Sequence, residues 1–257
     1  MADQGELFAK PDSIVRRIWG DVDVVMLIFA GSAAEFGLNR AVDWLFVTGD
    51  LPRDPIGRFF STAAYARRIA FGTRQEAERA FASIRGAHAG VERQRGGRIP
   101  DWAHRDVLYM LIDHSERAFR ALHRPLTPTE REDLYDVFRR VGDGLGIPEL
   151  PPTYDTWLVD RTRHLERDLA VSSHTRKLDR AYRDAVGWWR FIIVRQLQGV
   201  LAPRRVRKLL HLPSRPWIRV LLPLYGTVTR LRLRGFAHRL LVPAAHLDAL
   251  RGLEVHR

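Results

Sequence analysis

The sequence predicts an all-α protein, a single large multi-helix domain spanning 1–257 around a buried pocket, and three observations predict it. Helix-start patterns recur along the chain, among them Thr73 with Glu76 and Thr127-Pro128 with Glu130. There a side-chain oxygen three residues from a reciprocal acid satisfies backbone donors that a helix start leaves unpaired. Apolar residues return at three- and four-residue intervals through most segments. No segment alternates with period two for long, and no repeat is found.

Residues 13–19 read as a short helix capped by Ser13 after Pro11, and Gly20-Asp21 breaks it. The apolar block 22–37 is too long and too poor in β-branched residues for a strand, so it reads as a buried core helix. A short helix over 39–47 follows, closed by the turn TGDLPRDPIG. Residues 56–71 have helical periodicity, with Gly72 as the residue just past the end. The helix over 73–93 starts at the Thr73–Glu76 capping box. A glycine-rich loop, VERQRGGRIP, leads to a long amphipathic helix over 101–123. Its apolar stripe is Leu108, Leu111, Ile112, Ser115, Phe119 and Leu122, and Asp113 and His114 fall inside the pattern.

Pro125 ends that helix, Thr127 restarts another, and the glycines of GDGLGIP stop it. The stretch 148–153 is a linker, 154–168 a helix containing Trp157, and 175–201 is expected to be one helix, followed by the basic 203–208. The last part, 211–257, alternates apolar residues with arginines at helical spacing and reads as basic amphipathic helices. Two readings stand for it: packing on the core with a solvated arginine rim, or docking on an anionic membrane.

Composition narrows the chemistry. With 257 residues, 46% of them apolar, the chain can build one large core. The absence of cysteine excludes disulfides, iron–sulfur clusters, thiolate-ligated haem and thiol nucleophiles. The longest uncharged apolar run near the start, 24–34, is well short of the roughly 20 residues that cross a bilayer, and the N-terminus has no signal-peptide pattern. A cytoplasmic protein is expected, with peripheral membrane contact as the alternative. Net charge is +12, with 42 Lys+Arg that are almost all arginine, which suits an anionic partner. Dispersal of the basic residues, and the lack of a helix-turn-helix pattern, argue against specific nucleic-acid recognition. Serine-hydrolase motifs and phosphate-binding glycine loops are absent.

The chemistry-bearing residues concentrate on two helices. On 73–93, Phe81, Ile84, His88 and Val91 fall on one stripe, so an imidazole sits in the middle of an apolar face. The small residues Ala82, Gly86, Ala87, Ala89 and Gly90 leave the surface around it bare, suited to a flat group such as a porphyrin or to a closely packed helix. On 56–71, Arg58, Thr62 and Tyr65 at i, i+4 and i+7 place a cation, a hydroxyl and a phenol on one face. Opposite an inward histidine they could hold a carboxylate-bearing cofactor and a bound oxygen species. They could equally form a network between helices. A non-haem site is the other metal possibility, with His104, Asp113 and His114 as groups of the right type.

The order of motifs, WGD, DPIGRFFST, FGT, RGAH, RPLTPTE and DGLGIPELPPT, resembles the family of latex-clearing protein (rubber oxygenase) and the MpaB-type oxygenases, over about residues 13–210. The resemblance implies an all-α protein that holds haem b through a histidine and uses dioxygen. The family's R-x-x-H corresponds to Arg85-Gly86-Ala87-His88, which implies that His88 is the proximal iron ligand and that Arg85 belongs to the cofactor site. Its R-x-x-x-T corresponds to Arg58-Phe59-Phe60-Ser61-Thr62, which implies that Arg58 and Thr62 line the distal or propionate region with catalytic and cofactor-binding roles. Where rubber oxygenase has a lysine before the threonine, this chain has Ser61. Glu35 and Asp43 are the candidates for the family's basic glutamate. The expected function is a haem-b-dependent oxygenase acting with dioxygen on an apolar small molecule such as a terpenoid, a lipid or a secondary metabolite. The alternative is a non-catalytic haem- or lipid-binding helical protein.

Overall fold

A computed structural model describes residues 5–46, 53–213, 215, 217, 218, 220–222, 225, 238 and 242–253. The helices are α1 (Ile14–Gly20), α2 (Val22–Phe36), α3 (Pro55–Phe71), α4 (Arg74–Arg95), α5 (Asp101–Leu122), α6 (Pro128–Leu145), α7 (Tyr154–Arg167), α8 (Ser173–Val186), α9 (Trp188–Leu201), α10 (Arg204–Leu209) and α11 (Leu247–Arg251). Short 3₁₀ turns cover Val42–Phe46 and Ala244–His246. Among the described residues there is no strand, only isolated bridges joining Leu7 to Thr73 and Asn39 to Leu169. The protein is all-α.

The central element is α2, apolar on nearly every side, with Val24, Val25 and Ile28 fully buried. A helix apolar all round needs neighbours all round, and α2 packs on α5, α9 and α1. Its closest approach is set at Gly31, where an added Cβ would lie 2.6 Å from His114 Nδ1 on α5 and 3.1 Å from Leu201 Cβ on α9. On α5 the predicted stripe is buried at Leu108, Ile112, Ser115, Phe119 and Leu122, with Leu111 half-buried. Trp19, Tyr109, Phe81 and Trp157 anchor the same core from α1, α5, α4 and α7.

The caps form as the local sequence dictates. Thr73 accepts from the Glu76 N–H while the Glu76 carboxylate accepts from the Thr73 N–H, and Thr127 and Glu130 do the same for α6. Ser13 and Asp54 cap α1 and α3. Gly96 and Gly146 end α4 and α6 with φ of 73° and 74°, the left-handed region that favours glycine.

Three local expectations change. Gly72 ends α3 in an extended conformation, φ −83° and ψ 174°, so it is needed for proximity: a Cβ would lie 2.4 Å from the Arg68 carbonyl oxygen. The expected single helix over 175–201 is two helices, because Gly187 adopts φ 83° and ψ 153° and turns the chain between α8 and α9. The expected helix over 39–47 is the short 3₁₀ turn. Most of the basic segment 211–257 lies outside the described residues. No helix among the described residues is long and apolar enough to cross a membrane.

Candidate functional site

The α3–α4 hairpin brings the two predicted faces together around an apolar cavity of about 760 Å³. That volume is within the range of about 300–1,000 Å³ typical of small-molecule sites. Met26, Phe29, Phe59, Leu111 and Leu197 supply apolar wall from α2, α3, α5 and α9; Ile84, Ala87, His88 and Val91 supply it from α4. Of the small residues expected to bare the helix around His88, only Ala87 lines the cavity. Gly86 and Gly90 face outward, with nothing within 4 Å of a Cβ at Gly86 and only Arg93 Nη2, at 3.8 Å, near one at Gly90. Among the described residues, no neighbouring helix packs on them.

His88 is half-buried on the cavity wall. Burial pushes its imidazole down to about 4, and the neighbouring His104 and Arg58 push the same way against Glu92. At neutral pH the ring is therefore uncharged, with lone-pair nitrogen able to ligate a metal. Among the described residues it makes no hydrogen bond. Its neighbour is His104 at the start of α5, ring centres 4.8 Å apart and planes 41° to one another. Burial lowers His104 as well.

Arg58, Ser61, Thr62 and Tyr65 all reach the cavity. Arg58 is exposed, a cation at the rim. The Ser61 and Thr62 hydroxyls both donate to the Arg58 carbonyl at 2.9 Å, so their protons are taken by the helix and their oxygens remain acceptors. Tyr65 Oη pairs with Ser83 Oγ at 2.8 Å across to α4. Arg85 is elsewhere: it is exposed and donates to the Gly144 carbonyl at the end of α6, outside the cavity lining. Spacing on α4 explains this, since i and i+3 share a face only partly and the arginine, long and charged, takes the solvent side.

Neither candidate base lines the cavity. Asp43 pairs with Arg95 at 2.7 Å. Glu35 is buried and held by Arg161 through two contacts of 2.6 and 2.7 Å, with His114 Nε2 at 3.2 Å. Burial opposes its ionisation, but Arg161 and the hydrogen bonds outweigh this and hold the carboxyl below its ordinary value. Asp113 joins the same network, 3.1 Å from Arg161 and 2.5 Å from Arg117. Thus Asp113 and His114, considered above as metal ligands with His104, belong to an ion network, and only His104 meets the cavity.

One group escaped the sequence reading. Asp106, His164 and Asp168, all buried, place donor atoms within 4.8 Å of one another, an arrangement able to hold a metal ion. His164 Nδ1 faces both carboxylates, Asn39 Nδ2 donates to Asp106 at 2.6 Å, and Arg167 takes both oxygens of Asp168 at 2.7 and 2.8 Å. The i, i+4 spacing of His164, on α7, and Asp168, which caps its end, was its only sequence signal.

Fold and site together define a helical protein whose apolar cavity is lined by two imidazoles, a cation, hydroxyls and a phenol. The family model for the ER-bound oxygenase mpaB/B′/rubber oxygenase catalytic domain matches residues 16–234, and the chain belongs to that family. No curated protein matches the chain. The family is one of oxygenases, which implies an enzyme acting with dioxygen on a small molecule.

Proposed function

We propose that this protein is a haem-b-dependent oxygenase that inserts oxygen from dioxygen into an apolar small molecule, with His88 as the iron ligand. The observation that carries the reading is His88 itself: a neutral imidazole without a hydrogen-bond partner among the described residues, on the wall of a large apolar cavity. A half-buried imidazole on an apolar wall keeps a nitrogen lone pair free of protein partners among the described residues, as an iron ligand requires. The donor set fits haem in type, since a neutral imidazole is the common protein ligand of haem iron and no thiolate is available. When bound, the haem would supply the binding and activation of dioxygen.

The chain's own residues do the rest. Arg58, at the rim of the cavity, would pair with a carboxylate such as a haem propionate. Thr62 Oγ1, its proton committed to the Arg58 carbonyl, presents an acceptor to the cavity, and Tyr65 shares a proton with Ser83. Phe29, Phe59, Leu111 and Leu197 exclude water and recognise the substrate by apolar contact, which selects size and shape rather than a polar group. Arg85 fixes the end of α6 against α4, supporting the helix that carries His88.

The test is expression with ample haem supply. The wild-type protein should show a Soret band and consume dioxygen with an apolar substrate, and His88→Ala should stay helical by circular dichroism while losing both. A wild-type Soret band retained in His88→Ala, or a wild-type protein that never takes up haem, would overturn the assignment. Haem uptake with no oxygen consumption on any apolar substrate would instead favour a non-catalytic haem-binding protein.

A further inference from the structure

Between Asp184 and Asp248 the chain has no aspartate or glutamate and twelve arginines and lysines, as many positive charges as the net +12 of the whole protein. The other residues therefore balance one another, and the cationic surplus belongs to this stretch. Arg204, Arg205, Lys208 and Arg215 in it are exposed, and they have no acidic partner among the described residues. Such an asymmetry along a chain points to an anionic surface as partner.

The same stretch forms the lip of the cavity. Trp217 and Leu221 line it and are nevertheless 53% and 49% exposed, and Val107 on α5, 37% exposed, lines it too. A side chain that both walls a cavity and meets solvent lies at its opening, so the opening here is apolar. On α9, Trp188 and Ile192 share one face with Arg195 and Gly199, at i, i+4, i+7 and i+11. The C-terminal half of that face is covered by the chain leading to Trp217. Arg195 donates to the Leu210 carbonyl at 3.2 Å, and a Cβ at Gly199 would meet the Pro213 carbonyl oxygen. The N-terminal half is bare, with Trp188 70% and Ile192 50% exposed. With Val220, five of the nine exposed large apolar residues among the described residues fall between 188 and 221.

The two properties together decide the kind of partner. Positive charge alone suits nucleic acid as well as lipid, but a phosphodiester backbone gives exposed tryptophan, isoleucine and leucine no apolar contact. An anionic bilayer supplies both, negative headgroups outside and hydrocarbon beneath, and tryptophan favours the boundary between them. We propose that the face built from 188–221 docks on an anionic bilayer surface, with Trp188, Ile192, Trp217 and Leu221 in the interface and the cavity opening towards lipid. An apolar substrate then enters from the bilayer, where each methylene group concentrates it about fourfold over water. Docking stands without the haem reading; the route of entry rests on the cavity being the substrate site.

Sedimentation of the full chain with vesicles tests the docking, using phosphatidylcholine alone and phosphatidylcholine with phosphatidylserine, in low salt. Binding should require phosphatidylserine. Arg204→Glu with Arg205→Glu should weaken it about tenfold, and Trp188→Ser with Ile192→Ser severalfold, with circular dichroism unchanged. Brominated acyl chains in the vesicles should quench the tryptophan emission. Most of that quenching should be lost in Trp188→Phe with Trp217→Phe, a variant that keeps its apolar lip and still sediments. Absence of binding to phosphatidylserine vesicles, wild-type binding in the Trp188→Ser, Ile192→Ser variant, or binding without quenching overturns the proposal. So does tighter binding to a DNA duplex than to the vesicles in the same buffer, which assigns the charge to nucleic acid. The haem assignment is read separately, since neither assay involves haem or dioxygen. Vesicle binding with quenching, in a protein that never takes up haem, supports this surface while overturning the haem assignment; a Soret band without vesicle binding does the reverse.

Discussion

Replacing Arg161 with Met tests how the core tolerates charge. The guanidinium is 3% exposed and holds the Glu35 carboxylate at 2.6 and 2.7 Å and Asp113 at 3.1 Å. Methionine fills much of the volume but leaves two buried carboxylates with one cation fewer. Asp113 alone, held at about 2 against an ordinary 3.8, corresponds to about 2 kcal/mol of stability at neutral pH. Glu35, more deeply buried, adds to this, and removing one partner of a buried ion pair commonly costs about 3–5 kcal/mol. We expect a loss of about 3–5 kcal/mol at pH 7 in urea unfolding followed by circular dichroism. The sign with pH follows from the direction of the shifts. Carboxyls held low stabilise the wild type above their ordinary range, and that stability is lost as pH falls through the folded values, towards about 2 for Asp113. Without Arg161, burial raises Glu35 above its ordinary value, so the variant is relieved by protonation. The gap between the proteins should therefore narrow from pH 7 to pH 4. Adding Glu35→Gln and Asp113→Asn to Arg161→Met should recover much of the loss. A destabilisation under about 1 kcal/mol, or one that does not change with pH, would refute the reasoning.

Gly31→Ala should cost about 1–3 kcal/mol, because its Cβ would meet His114 Nδ1 at 2.6 Å between two packed helices; unchanged unfolding in urea would show that α2 and α5 can separate freely. Thr127→Ala removes half of a capping box and should cost about 1 kcal/mol, a fall in melting temperature of roughly 2–4 °C; a scan superimposable on the wild type would contradict it. If the basic C-terminal segment meets anionic lipid, binding to phosphatidylserine vesicles should weaken steeply between low and physiological salt. Exposed Trp188, Ile192 and Trp217 give the described surface apolar groups to add to that contact. No binding at any salt would leave the arginines as a solvated rim.

Local rules carried much of this protein. Capping boxes at Thr73 and Thr127, the apolar run of α2 and the stripes of α3, α4 and α5 are all visible in residue order, because a helix start depends on neighbours three residues away and an amphipathic face on neighbours three and four away. The same periodicity put His88 on one face and Arg58, Thr62 and Tyr65 on another, all four lining the cavity with Arg58 at its exposed rim, and the motif order pointed to the oxygenase family. Tertiary structure decided what those faces meet. His104 lies sixteen positions from His88 and becomes its neighbour only when the α4–α5 turn folds back. Asp106 finds His164, and Glu35 finds Arg161, across even longer separations, through contacts without periodicity. Arg85, on the margin of the stripe, was free to choose either side, and the Gly144 carbonyl at the end of α6 chose for it. Residue order specifies which face of a helix is apolar, since that is a matter of spacing along one chain segment; which partner fills that face depends on how separate segments pack, and only the folded chain determines it.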